Sequence, residues 1–99
     1  MTPPLSNLKD VQLFWLCDFH FIIVSYSETQ IHFQMNDNES VIQTWTIPLA
    51  NPIDHVSYRS IYRQETYYEF GLESEDSILY MWINQRDLKM MNEPPVYEA

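Results

Sequence analysis

Glycine is nearly missing from this chain: Gly71 is the only one in 99 residues. Loops that cradle phosphate need several glycines so that the backbone can approach the anion. The scarcity excludes the P-loop, the dinucleotide fingerprint, the hydrolase nucleophile elbow and the kinase glycine-rich loop. Cysteine is equally scarce. Cys17 alone cannot close an intramolecular disulfide, so nothing points to an oxidising compartment. Inside an apolar run it reads as a small core residue. Basic residues are few: five Lys and Arg face fourteen Asp and Glu, for a net charge of −9 and a pI near 4.4. That field repels DNA, RNA and anionic membranes and attracts basic protein surfaces. Long hydrophobic runs are absent too. The longest, Phe19 to Val24 with His20 inside it, falls far short of a membrane span. The opening Met-Thr-Pro-Pro-Leu-Ser-Asn has neither the basic nor the apolar region of a signal peptide. A cytoplasmic protein is expected, with no route to glycosylation for the Asn38-Glu39-Ser40 sequon.

What is present is apolar and aromatic. Hydrophobic residues make up 45% of the chain and aromatic residues 15%, enough to fill a core in a chain of this size. One domain over residues 1–99 is expected, with flexible arms at about 1–7 and 92–99.

The local pattern is mostly strand. Ser6 or Asn7 caps a short helix reaching about Phe14, with Leu8, Val11, Trp15 and Phe19 on one face. A strand starting at Val11 competes with it, because Leu13 to Val24 is almost continuously apolar. Phe19 to Tyr26 is aromatic and β-branched on both alternating faces, which suits a covered strand. Residues 30–49 read as a hairpin about the turn Asn36-Asp37-Asn38-Glu39-Ser40, with Ile31, Phe33 and Met35 inward. Val56 to Arg63 and Glu65 to Leu72 form a second hairpin about Gln64. On that register Arg59 and Arg63 share a face, as do Glu65 and Glu69, so opposite charges pair across strands. A last strand, Ile78 to Ile83, is apolar on both faces and reads as central. Asn84 caps a final helix ending near Met91. The expected fold is α+β: an antiparallel sheet of about six strands with short terminal helices. An all-β barrel or sandwich is the alternative.

Catalytic and metal chemistry find little support. His20, His32 and His55 are scattered, and Cys17 with His20 matches no zinc spacing, so no metal and no cofactor are expected. A Cys17–His20 nucleophilic pair oriented by Asp18 is the one enzymatic reading. In a strand, residues 17 and 18 would face opposite ways, which breaks it. The chain is therefore read as no enzyme.

Binding features are stronger. Alternation sets Tyr67 on the face of Glu65 and Glu69, and tyrosine among carboxylates suits a protein-binding surface. The acidic loop Glu73 to Asp76 follows directly. Near the end, Pro94-Pro95-Val96-Tyr97 matches the Pro-Pro-x-Tyr pattern and resembles ligands of WW domains, which dock as extended polyproline segments. The leading expectation is a small acidic module that occludes or regulates a basic partner, such as a nuclease or other nucleic-acid-binding protein. Immunity proteins, phage-encoded inhibitors of host defence and nucleic-acid mimics share this composition. Its expected contact residues are Glu65, Tyr67, Glu69, Glu73, Glu75 and Asp76. The alternative is a structural or adaptor subunit that docks through the C-terminal helix, with Met90 and Met91, and the proline tail.

Overall fold

A computed structural model describes residues 8–95. Eight strands run along them: β1 Asp10–Cys17, β2 His20–Tyr26, β3 Gln30–Asn36, β4 Val41–Pro48, β5 His55–Arg63, β6 Glu65–Glu73, β7 Ile78–Asn84 and β8 Met90–Met91. They form two four-stranded sheets, ordered β1-β2-β3-β4 and β5-β6-β7-β8. Every pairing is antiparallel and joins strands consecutive in sequence. The chain divides into two compact units, Met1–Pro52 and Ile53–Ala99, each holding one sheet. The break falls in Ala50-Asn51-Pro52, where proline interrupts strand pairing. No helix among the described residues is long and apolar enough to cross a membrane.

Each sheet buries a mainly apolar set of side chains on one face, with a few residues of the other face buried too, among them Ser25, His32, Glu69 and Trp82. In the first, Ile22, Val24 and Tyr26 stand opposite Met35, Phe33 and Ile31, and all six are buried. In the second, Val56, Tyr68, Phe70, Leu72, Met81 and Ile83 are buried on one face, and Ile53 and Trp82 are buried as well. Fully burying a side chain of this kind contributes about 1.5–3 kcal/mol, so these two sets are the main stabilising term.

The class is all-β, not α+β, and neither terminal helix exists among the described residues. The segment expected to be helix through Phe14 is strand β1. Its Val11, Leu13 and Trp15 alternate with the less exposed Gln12, Phe14 and Leu16, and it satisfies the backbone of β2 over its length. Asp10, the first residue of β1, accepts from the Val11 amide at 2.9 Å. The helix expected after Asn84 fails for another reason. Asn84 Oδ1 does accept from the amides of Arg86 and Asp87, at 2.8 and 3.3 Å, as a cap would. Leu88 then takes a left-handed conformation, φ 59°, which ends any helix within its first turn. The chain reverses, Asn84 N donates to Lys89 O, and Met90 and Met91 pair with Ile83 and Trp82 as β8. So β7 is central, as expected, but only over its second half. Ile78, Leu79 and Tyr80 remain exposed because β8 does not reach them. The arm expected at 1–7 lies outside the described residues, as do the last four of the arm at 92–99.

Candidate functional site

Strand alternation lines up Glu65, Tyr67, Glu69, Gly71 and Glu73 on one face of β6, and three of these carboxylates already have partners. Arg59 stands opposite Glu69, and its Nε donates to Glu69 Oε1 at 2.5 Å. Trp82, opposite Glu69 on the other side, donates its indole N–H to Oε2 at 2.9 Å. Glu69 is left 7% exposed, too buried to meet a partner directly. Glu65 accepts from Asn84 Nδ2 at 2.8 Å and pairs with Arg86. Arg63, its neighbour across the strands, turns away and donates to the Tyr62 carbonyl. Glu73 lies 3.9 Å from His55. Tyr67 is half-buried in the same column. A Cβ at Gly71 would stand 2.6 Å from Ser57 Oγ, so a larger residue there needs the Ser57 hydroxyl to rotate away. Glu75 and Asp76 are the exposed acids of the expected set, in a turn closed by Ser74 N and Ser77 O at 2.8 Å.

Basic residues are missing from a long stretch that covers all of the first sheet, although Lys9, just before it, pairs with Glu28 at 3.6 Å. From Asp10 to Tyr58 there is no Lys or Arg, while Asp10, Asp18, Glu28, Asp37, Glu39 and Asp54 are all acidic. On the face of this sheet away from Ile22 and Phe33, register places Trp15 beside Phe21, Leu13 beside Ile23 and Val11 beside Ser25. Val11, Leu13 and Trp15 are 53%, 50% and 60% exposed, and Phe19 in the following turn is 63% exposed. Trp15 and Phe21 make a tilted ring contact with centroids 5.1 Å apart. The polar half of the same face comes from β3 and β4, where His32 Nδ1 lies 2.7 Å from Thr46 Oγ1. His32 is buried, which lowers its pKa.

The β1–β2 turn brings together the one cysteine and a histidine. Cys17 pairs with His20 in register, and its Sγ lies 3.1 Å from His20 Nδ1. Cys17 is exposed, not the core residue its apolar surroundings imply. A wide, shallow depression of about 470 Å³ opens beside it, lined by Trp15, Leu16, Cys17 and Asp18. At the same end of the sheet, Asp37 Oδ1 accepts from the amides of Glu39 and Ser40, both at 2.8 Å. These bonds hold the Asp37 carboxyl below the usual carboxylate range, and His20 adds to the shift.

Among the described residues, no three His, Cys, Asp or Glu side chains cluster as metal ligands. Pro94 and Pro95 follow β8 outside any strand, while Val96 and Tyr97 of the Pro-Pro-x-Tyr motif lie outside the described residues. Met90 and Met91, expected on a docking helix, are half-buried in β8. A helical reading sets Val11 and Trp15 on one face with Leu8 and Phe19 and leaves Leu13 out of the row. The apolar neighbours Phe14 and Leu16 hide the alternation of Val11, Leu13 and Trp15, so periodicity alone does not single them out. The chain matches no family model, no curated protein and no solved structure.

Proposed function

We propose that this protein is a non-catalytic binding module that engages and occludes a basic protein partner, and that its first sheet carries the contact. One observation supports this reading above the rest: exposed Val11, Leu13 and Trp15 stand on strands that contain no cation. Aromatic and aliphatic anchors supply most of the energy at protein interfaces, and a surrounding field of one sign selects the partner and speeds encounter. The carboxylates Glu65, Glu69 and Glu73 are poorer candidates for that role. Glu69 and Glu65 already pair with Arg59 and Arg86, and Glu73 lies 3.9 Å from the His55 ring. Glu75 and Asp76 stay available as a secondary acidic contact.

The test is affinity capture from the native host's lysate, eluted with rising salt. It is run in parallel with Trp15→Ala and with a Glu75→Lys/Asp76→Lys double variant. The expected partner is basic, leaves at moderate salt, is lost from Trp15→Ala and is kept by the loop variant. Loss from the loop variant alone would move the site to the β6–β7 turn. An acidic or salt-resistant partner would overturn the reading.

A further inference from the structure

The sheet edges differ in how they are guarded. A strand at an edge offers unpaired N–H and C=O groups to any chain alongside, and proteins protect such edges with charge, proline or brevity. Here the edge strands are β1, β4, β5 and β8. β8 has only two residues and β5 carries Arg59 and Arg63; β4 is as long as β1 and uncharged, but it ends on Pro48, has polar Gln43, Thr44 and Thr46 along it, and has no acidic residue within it. β1 is eight residues long and holds neither proline nor charge from Val11 to Cys17. Among the described residues it pairs with β2 alone. Acidic residues bracket it, Asp10 at its start and Asp18 just past its end.

Resting on the reading above, we propose that the open edge of β1 accepts an extended segment of the basic partner as an added strand. Apolar side chains of that segment cover Val11, Leu13 and Trp15, and its Lys or Arg side chains meet Asp10 and Asp18. Main-chain hydrogen bonds then supply affinity while alternate side chains supply specificity. Charge complementarity favours this occupant over a second copy of the chain. Two copies each carry −9, and an in-register antiparallel pair of β1 strands would set Asp10 against Asp18 at both ends. The uncovered stretch of β7 is a weaker edge, since Ile78 to Tyr80 spans only three residues.

The probe is a synthetic peptide of alternating Arg and Val, about eight residues long to match the strand it would pair with. It is titrated into the full chain while amide exchange and alkylation of Cys17 are followed. The expected result is protection of the Val11–Leu16 amides and slower alkylation of Cys17. Both effects should vanish near 1 M salt, where the screening length is about 3 Å. A peptide with Glu in place of Arg should do nothing. Leu13→Lys should weaken binding about tenfold or more, and because Leu13 is half exposed the variant should keep its circular dichroism spectrum. Asp18→Lys serves as a second variant. Protection at β4 or β7 instead of β1 overturns the edge assignment while leaving the basic-partner reading intact. Self-association with β1 protected in the absence of peptide overturns the occupant. No effect of either peptide overturns strand addition, and the capture experiment then judges the wider reading alone.

Discussion

Glu69 and His32 are polar side chains buried in opposite ways. Glu69 is satisfied on both oxygens, by Arg59 and by the Trp82 indole. Removing it strands the buried Trp82 N–H, and an orphaned buried donor costs about 1–3 kcal/mol. Glu69→Ala should therefore destabilise by that amount in urea titration, while Glu69→Gln, which still offers an acceptor, should cost less. A charge reversal at this position would perturb the sheet before it reported on binding. His32 has its Nδ1 beside Thr46, but among the described residues its buried Nε2 has no partner. Burial lowers its folded pKa below the ordinary 6.5, so the unfolded chain binds the proton first as pH falls. Stability should then decline as pH drops below 6.5 and level off below the folded pKa. A His32→Gln variant should lose this slope in thermal melts taken across that window.

At the scale of elements, the two helix errors have separate causes. Along β1 the apolar pattern fits either period, and the need of β2 for a partner decides for strand. After Asn84 the capping signal is real, but it serves a turn. The Asn84 side chain satisfies two amides with its oxygen and Glu65 with its nitrogen. It is buried, so Asn84→Ala should cost about 1–3 kcal/mol, the range for leaving such groups unpaired, and should loosen β8. Amide exchange at Met90 and Met91 would then rise more than exchange in the first sheet. Equal changes in both sheets would show that the turn acts globally.

On the scale of the whole molecule, charge is distributed unevenly. The second unit pairs Glu69 with Arg59 and Glu65 with Arg86, whereas strands β1 to β4 contain no Lys or Arg and Lys9, just before β1, pairs with Glu28. A net charge of −9 on 99 residues opposes compaction, and salt screens that repulsion more than it weakens the close, part-buried pairs. The melting temperature should therefore rise from low to physiological ionic strength. A fall would mean that the ion pairs outweigh the net field. Because every strand pairs with its sequence neighbour, loop closures are short, and folding should be fast for an all-β chain. Stopped-flow refolding would check this.

Much of the strand map was legible in the residues themselves. Alternation of Ile31, Phe33 and Met35, the Asn-rich turn at 36–40 and the hairpin about Gln64 all depend on local pattern and turn chemistry. The pairing of Arg59 with Glu69 followed from register alone. Three things depended on tertiary structure. The first is that the apolar residues of β1 form an exposed row, since hydrophobicity does not say which side of a strand is covered. The second is that Glu65, Glu69 and Glu73 are already partnered, one of them by a tryptophan thirteen residues away. The third is the contact between Cys17 and His20, a pair that the sequence offers without showing that a turn would close it. Local periodicity sets which residues can share a face. What each face meets is a matter of long-range packing, which a single strand's sequence does not contain.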